Sequence, residues 1–377
     1  MIISRKTSFL CRKLRLPTSN GMNNIYFTVG PTQTHPKLGG YLNEGLERGI
    51  YSISHRGKEF GELFAHTVSS LKQLLNIPRD FHVFFVGSAT EAMELIVENC
   101  VEDKSFHFVN GAFSKRFFQT AQGLRKSPEK HEAPADEGFD MHKASIPADA
   151  ELVCLTQNET STGVKIDMPD IRALRLKHPD KLFAIDVVSS TPYATVDYDA
   201  VDCSFFSVQK GFGMPSGLGV LIVNDKCIKK SEKLHAKGIN IGSFHNFPAL
   251  LKSAGKNQTP ETPNTMAIYV LGRICDSYIK YGLEKIRTDT DLKAKLLYAF
   301  LDNNPRYPAF VKKEPWRSKT VIVAETPEGS APVLKRLADD GFIVGAGYGE
   351  FKDTHIRIGN FPMHKVSDVK EILNILK

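Results

Sequence analysis

Between residues 82 and 224, short apolar segments alternate with helix-like segments, and this alternation restricts the fold more than any other feature of the sequence. Buried strands are predicted at 82–87, 106–111, 151–158, 181–190, 203–211 and 218–224. Helices are predicted at 89–100, 115–124 and 168–177. Strands that alternate with helices predict an α/β fold with a mostly parallel sheet and helices on both faces. In such folds ligands bind at the carboxyl ends of the strands.

Beyond residue 262 the pattern changes. One long helical stretch is predicted over 264–301, followed by strands at 321–325, 342–347 and 355–359 and a helix at 330–340. A chain of 377 residues has room for two domains, so we expect a large α/β domain and a small α+β domain. The segment 125–148 has three prolines among many charges and is predicted to be a surface loop.

Taken as a total, the net charge of +7 suggests an anionic partner. The distribution of these charges along the chain changes that interpretation. Residues 1–22 contain no acid and carry five of the positive charges, which leaves about +2 for residues 23–377. This arm is a basic, disordered or targeting segment, or an artefact if translation starts at Met22. The rest of the chain shows no interleaved basic and aromatic stripe, so we expect no nucleic-acid partner.

The six cysteines form no C-x-x-C pair and fit neither a zinc site nor a disulfide framework. We therefore predict no metal site and a reducing, cytoplasmic environment. No apolar run approaches the ~20 residues that cross a bilayer, so we expect no membrane partner.

Small residues follow the first predicted strand at Ser88, Ala89 and Thr90. They open a helix, and the N-terminus of a helix favours an anion such as a phosphate. The segment is neither a Walker A loop nor a G-x-G-x-x-G motif. By itself it also fits an ordinary turn in which Ser88 or Thr90 caps the helix.

Two ionisable residues end predicted strands. Asp186 closes an apolar run, and a buried carboxylate is costly unless it meets a cation. Lys210 lies between an aromatic strand and a glycine-rich turn, where desolvation lowers the pKa of an amine and makes it nucleophilic. Asn158-Glu159-Thr160 follows another strand. Each residue alone also fits a turn or a helix cap.

Together and in this order, these features resemble the class V, fold-type I aminotransferases that depend on pyridoxal 5'-phosphate (PLP), and among them the phosphoserine aminotransferases. The resemblance runs from about Tyr26 to the C-terminus. It implies a mostly parallel seven-stranded sheet in a large PLP-binding domain at 36–265 and a small C-terminal domain at 266–377. It also implies that residues 23–35 fold over the active site.

The resemblance assigns a role to each strand-end residue. Lys210 corresponds to the lysine that bonds to the cofactor carbonyl and moves a proton during catalysis, and Asp186 to the acid that pairs with the pyridine nitrogen. The remaining cofactor-binding positions contact the phosphate, the ring face or the phenolic oxygen. They are Ser88, Ala89, Thr90 and Gln209 for the phosphate, Phe113 for the ring and Thr160 for the oxygen.

Further positions bear on the substrate and on assembly. Arg357 corresponds to the arginine that binds the substrate carboxylate. His55 and Arg56 correspond to residues that bind the substrate phosphate from across a dimer. Thr262 corresponds to a residue that reaches the neighbouring subunit's cofactor phosphate, although Glu261 stands where the family has Asn. The resemblance therefore implies a homodimer.

The best prediction is transfer of an amino group between O-phosphoserine and 2-oxoglutarate in serine biosynthesis. The family's second His-Arg pair for the substrate phosphate is absent, and Tyr348 and Lys352 are the candidates to replace it. Gly-Ser-Ala-Thr at 87–90 is closer to alanine–glyoxylate or serine–pyruvate aminotransferases, which stay an alternative together with other class V enzymes. A cysteine desulfurase needs a nucleophilic cysteine on a late loop, and the absence of any cysteine after Cys275 argues strongly against this alternative. A non-catalytic binding module would not need Lys210, Asp186 and Arg357 together.

Overall fold

The computed structural model describes residues 24–141 and 143–377, so the predicted arm at 1–22 lies outside the described residues. Eleven strands occur in these residues, and they form two sheets. In chain order the strands are β1 (Ile25–Phe27), β2 (Phe81–Val86), β3 (Ser105–Val109), β4 (Glu129–Glu132), β5 (Leu152–Thr156), β6 (Leu182–Asp186), β7 (Cys203–Ser207), β8 (Gly219–Asn224), β9 (Val321–Glu325), β10 (Phe342–Ala346) and β11 (His355–Gly359).

The larger sheet has seven strands in the order β2-β8-β7-β6-β5-β3-β4. The pairs from β7 to β4 are all parallel, and β8 runs antiparallel to both of its neighbours. The prediction of a mostly parallel sheet is therefore confirmed. Because β2, β3, β5, β6 and β7 point the same way, the turns that follow them meet at one edge of the sheet.

Eleven α-helices cover the sheets in the described residues, and none of them is long and apolar enough to cross a membrane. They are α1 (Leu38–Glu47), α2 (Lys58–Leu75), α3 (Ala89–Cys100), α4 (Ala112–Gly123), α5 (Met168–Lys177), α6 (Asp225–Ala236), α7 (Phe247–Ala254), α8 (Thr265–Tyr281), α9 (Leu283–Asp302), α10 (Ser330–Asp339) and α11 (Val366–Leu376).

The apolar side chains form two main cores. One surrounds the seven-stranded sheet and includes the buried face of α8, which packs on α2. The other lies between the four-stranded sheet, ordered β1-β10-β11-β9, and helices α9, α10 and α11. Helix α8 therefore joins the larger core although it follows residue 265, where we predicted the large domain to end. The division into domains stays a prediction.

Two local predictions were wrong. The predicted helix over 264–301 is broken at Gly282, whose φ of +97° and ψ of 121° are not helical. Glycine reaches this backbone conformation without steric cost, so the chain turns there between α8 and α9. The predicted loop at 125–148 contains strand β4, which pairs only with β3 at the edge of the sheet. Its four residues are polar and mostly exposed, so no apolar pattern marks it.

The N-terminal segment connects the two sheets. Strand β1 pairs in parallel with β10 of the smaller sheet. The chain then crosses to the larger sheet's edge, where the Thr32 N–H donates to the Gln209 carbonyl (3.2 Å) and the His35 N–H to the Gly213 carbonyl (2.8 Å). Residues 30–35 therefore lie against the turn that carries Lys210.

Candidate active site

A cavity of about 240 Å³ opens at the carboxyl edge of the larger sheet. Nine of the predicted site residues line it, although they are far apart in the sequence. They are Ser88, Ala89, Thr90, Phe113, Thr160, Asp186, Gln209, Lys210 and Arg357. The parallel strands account for most of this convergence, because each strand ends at the same edge.

Lys210 follows β7 and points its amine into the cavity. The side chain is 5 % exposed, and its Nζ donates to the Thr160 Oγ1 (2.8 Å) and the Ser189 Oγ (3.0 Å). Burial lowers the pKa of Lys210 to about 8, against the opposing attraction of Asp186 and Glu159. A substantial fraction of the amine is therefore neutral, and able to act as a nucleophile, at slightly alkaline pH.

Asp186 is the last residue of β6 and is 4 % exposed. Its Oδ1 accepts a hydrogen bond from the Val188 N–H at 2.8 Å. Burial raises the pKa of this carboxyl group to about 7, and the positive charge of Lys210 only partly offsets the effect. A carboxylate in this position is stabilised by a cation placed against it.

The N-terminus of α3 forms another wall of the cavity. Ser88 caps the helix by accepting from the Glu91 N–H (3.1 Å), and the Glu91 carboxylate accepts from the Gly87 N–H (2.6 Å). The Ala89 N–H donates to the Ser207 Oγ at the end of β7 (2.8 Å). The helix dipole and this fixed turn favour an anion beside Ala89 and Thr90.

A buried acid that we did not predict positions the aromatic wall. The fully buried Glu159 carboxylate accepts from the Phe113 N–H (3.1 Å), the Ser114 N–H (2.8 Å) and the Ser161 Oγ (2.6 Å). It thereby ties the start of α4, with Phe113, to the loop that carries Thr160. In the sequence, the only indication that Glu159 belongs to the site is its position next to Thr160.

Arg357 reaches the cavity from β11 of the smaller sheet. Its Nε donates to the Ala346 carbonyl (2.8 Å) and its Nη1 to the Thr160 carbonyl (3.3 Å). The guanidinium carbon lies 5.3 Å from the centre of the Tyr348 ring. Burial lowers the pKa of Arg357, but a guanidinium stays charged at physiological pH.

Three predicted residues lie outside this cavity. Thr262 is exposed and borders a separate cavity with Glu91, His245 and Glu261. The Arg56 guanidinium donates to the carbonyls of Thr259 (2.6 Å) and Pro260 (2.7 Å), and His55 precedes it in the same turn. Within one chain these residues are therefore separate from this cavity, and their roles across a dimer stay a prediction.

Other cavity residues escaped the sequence analysis. Ser207 lines the cavity and accepts from the Ala89 N–H, and Ser189, behind the cavity wall, accepts from the Lys210 Nζ. Serines near strand ends are too common to be noticed in a sequence. Arg116 also lines the cavity from the second turn of α4. Tyr348, which we predicted only as a candidate for the substrate, lines the cavity, whereas Lys352 does not.

Comparison with known proteins identifies the family of the chain. The sequence profile described as aminotransferase class-V matches residues 28–349. The structure of a phosphoserine aminotransferase from Cytophaga hutchinsonii is 44 % identical, with a TM-score of 0.92, and the match covers 94 % of this chain and 99 % of that one. A phosphoserine aminotransferase from Rhodococcus opacus is 25 % identical over 352 residues, which is 92 % of each chain. An alanine–glyoxylate aminotransferase from Nostoc shares the fold, with 21 % identity, a TM-score of 0.79 and coverage of 97 % and 99 %.

The chain belongs to the class V aminotransferases, and its cofactor is PLP. The residues of the cavity fit this molecule. The N-terminus of α3 suits its phosphate, the buried Asp186 suits a protonated ring nitrogen, and the Lys210 amine suits its aldehyde carbon. The buried Oε1 of Gln209 has no hydrogen-bond partner in the described residues, which fits a polar group held in the cavity.

Proposed function

We propose that this aminotransferase transfers the amino group of O-phosphoserine to 2-oxoglutarate, or catalyses the reverse transfer, in serine biosynthesis. The observation that supports the substrate is the similarity, at 44 % identity over almost the whole chain, to the Cytophaga hutchinsonii phosphoserine aminotransferase. The convergence of Lys210, Asp186 and Arg357 on one cavity supports the chemistry.

PLP, when bound, supplies an electron sink for the pair of electrons left on the substrate Cα when its proton departs. In this proposal the Nζ of Lys210 would hold the aldehyde carbon of the cofactor between turnovers. Once free, the neutral Nζ would take up the proton of the substrate Cα and later give it up again. The lowered pKa of Lys210, about 8, suits an amine that must alternate between the neutral and the charged form near neutral pH.

Asp186 acts through its charge. Its carboxylate lies at the end of β6, and burial makes an unpaired negative charge there unfavourable. In the proposal it would pair with the protonated pyridine nitrogen and so favour the proton on the ring. Thr160 would hold the phenolic oxygen through its hydroxyl group, and Phe113 would offer an aromatic face to the ring.

Arg357 orients the substrate. Two of its N–H groups are held by the carbonyls of Ala346 and Thr160, so the guanidinium has little freedom to turn. In the proposal it binds the α-carboxylate, which fixes the Cα near Lys210. The N-terminal segment closes the same space, since Gly30 lies against the Lys210 side chain.

The functional unit is a homodimer in this proposal. Thr262 is exposed and outside its own chain's cavity, as expected of a residue that contacts the cofactor phosphate of the partner subunit. The bonds from Arg56 to Thr259 and Pro260 hold the segment before Thr262 in a fixed position. His55 and Arg56 then lie where a second subunit's substrate phosphate approaches. Light scattering of the purified protein tests the dimer, and a monomer at working concentration would refute it.

The proposal includes a cytoplasmic location, as serine biosynthesis requires access to intracellular 2-oxoglutarate. Five cysteines of the described residues are buried and free, in keeping with a reducing compartment.

The test is half-reaction spectroscopy on the purified PLP-loaded enzyme. O-phosphoserine, serine, alanine and glutamate are added one at a time, and the absorbance change of the bound cofactor reports amino transfer. We expect O-phosphoserine and glutamate to react at the highest kcat/KM. A preference for alanine or unphosphorylated serine would refute the proposed substrate and favour the alanine–glyoxylate or serine–pyruvate alternative.

A further inference from the structure

The catalytic cavity contains a cation to which the chemistry above gives no task. Three basic side chains line it: Lys210, Arg357 and Arg116. Lys210 donates to two hydroxyl groups and Arg357 to two carbonyl groups. Arg116 is exposed at the edge of the cavity, and its side chain forms no hydrogen bond or ion pair within the described residues; its contact is with the ring of Phe113, 5.6 Å from the guanidinium carbon. A guanidinium that borders a binding cavity without an anion is available to a ligand.

Arg116 and Arg357 flank one aromatic pair. The rings of Phe113 and Tyr348 lie 5.5 Å apart, centre to centre. Arg116 lies over Phe113, and Arg357 lies 5.3 Å from the centre of the Tyr348 ring. The cavity therefore offers two guanidinium groups to a molecule that contacts these rings, one more than an α-carboxylate requires.

A phosphate group bound in this cavity needs a cation beside it. The other basic side chains of this chain do not supply a free one. Helix α3, which presents its N-terminus to the cavity, contains no lysine or arginine from Ala89 to Cys100. Lys352 does not line the cavity, and Tyr348 is uncharged. Arg56 lies outside this chain's cavity, so in the proposed dimer it serves the substrate of the partner subunit and not that of its own chain. A phosphate in this cavity is therefore without a free cationic partner from this chain unless Arg116 binds it.

We propose that Arg116 binds a phosphate group in the catalytic cavity. The chemistry is a bidentate contact between a guanidinium and phosphate oxygens, with Phe113 holding the guanidinium plane in place. Two molecules can carry this phosphate group: PLP or O-phosphoserine. The second source rests on the proposed function. The Phe113 and Ser114 N–H groups at the start of α4 donate to the Glu159 carboxylate. The position of Arg116 on this helix is therefore fixed relative to the loop that carries Thr160.

The experiment compares Arg116→Gln and Arg116→Lys with the control Lys115→Gln. The control removes the same charge from the neighbouring residue, which is exposed and does not line the catalytic cavity. In the first arm, protein freed of cofactor is titrated with PLP and with pyridoxal, which lacks the phosphate, and binding is followed by absorbance. In the second arm, KM is measured for O-phosphoserine and for serine.

If the cofactor supplies the phosphate, Arg116→Gln weakens binding of PLP about tenfold or more and leaves pyridoxal binding unchanged. If the substrate supplies it, Arg116→Gln raises KM for O-phosphoserine by a similar factor and leaves KM for serine unchanged. In either case Arg116→Lys retains part of the affinity for the phosphate group, because lysine keeps the positive charge but loses the bidentate contact.

Equal changes for the phosphorylated and unphosphorylated member of each pair would overturn the proposal, and so would an Arg116→Gln variant that behaves like Lys115→Gln. If the wild-type enzyme does not convert O-phosphoserine, the proposed substrate fails. The first arm then decides alone whether Arg116 binds phosphate.

Discussion

The raised pKa of Asp186 predicts that this carboxylate destabilises the protein when no cofactor is bound. The group is 4 % exposed, and burial raises its pKa from 3.8 to about 7. The folded chain therefore binds more protons than the unfolded chain between these values, and stability falls as the pH rises through this window. Replacement by asparagine removes the charge and can keep the 2.8 Å bond from the Val188 N–H.

The magnitude follows from the pKa difference. A shift from 3.8 to about 7 corresponds to a cost of about 4 kcal/mol above pH 7, fully developed only where the group is ionised in both states. Loss of the carboxylate also removes its attraction for the charged Lys210 amine, and this reduces the gain in stability. We therefore expect Asp186→Asn to stabilise the cofactor-free protein by about 1–4 kcal/mol at about pH 8 and by less at about pH 5.

Thermal unfolding of the cofactor-free wild type and variant at about pH 5 and about pH 8 measures this difference. The melting temperature of Asp186→Asn should exceed that of the wild type by several degrees at the higher pH. The same variant, loaded with PLP, should lose most of its transamination activity, because the ring nitrogen loses its partner. An advantage that does not grow with pH would refute the reasoning.

Asp202→Asn is the matched control. Asp202 is also a buried acid, just before strand β7 of the larger sheet, but it accepts from Arg175 Nη1 (2.8 Å) and from the N–H of Phe183 (2.9 Å). Removing one partner of a buried ion pair leaves the other charge uncompensated, at a cost of about 3–5 kcal/mol. The control should therefore destabilise the protein at both pH values.

Three further substitutions test the site. Lys210→Ala should abolish turnover and leave the circular dichroism spectrum unchanged, and normal transamination by it would exclude the proposed role. Gly30→Ala should lower kcat, because a Cβ there would lie 2.6 Å from the Lys210 Cε and the glycine has a φ of +133°; an unchanged kcat would mean that the segment does not constrain Lys210. Arg56→Ala should raise KM for O-phosphoserine far more than KM for glutamate. Equal increases would mean that Arg56 only holds the segment at 259–260.

Much of the fold and many of the cavity residues were predictable, because both can be recognised from patterns within short segments of the sequence. Alternating strands and helices predicted the parallel sheet, and the strand-end positions of Asp186, Lys210 and Thr160 predicted that these residues meet. The motif order predicted the family and PLP. Each of these inferences needs only the residues themselves and the rule that parallel strands end at one edge.

The break at Gly282 and the edge strand β4 could not be read from the chain. A glycine inside a helical pattern is compatible with a continuous helix, and only the packing of α8 and α9 in different cores requires a turn there. Strand β4 has polar residues throughout, and its strand conformation depends on hydrogen bonds to β3, a partner more than 20 residues away.

The sequence by itself determined which chemical groups the protein has and which strand each of them ends. Only the tertiary structure decided what surrounds them. The Glu159 carboxylate that orients Phe113 and the hydroxyl of Ser189 on the Lys210 amine depend on contacts between distant segments. The position of Arg116 at the cavity depends on how α4 packs against the larger sheet. Burial, which moves the pKa values of Asp186 and Lys210 towards neutrality, is likewise a property of the packed molecule, because desolvation depends on every neighbour and on no single stretch of sequence.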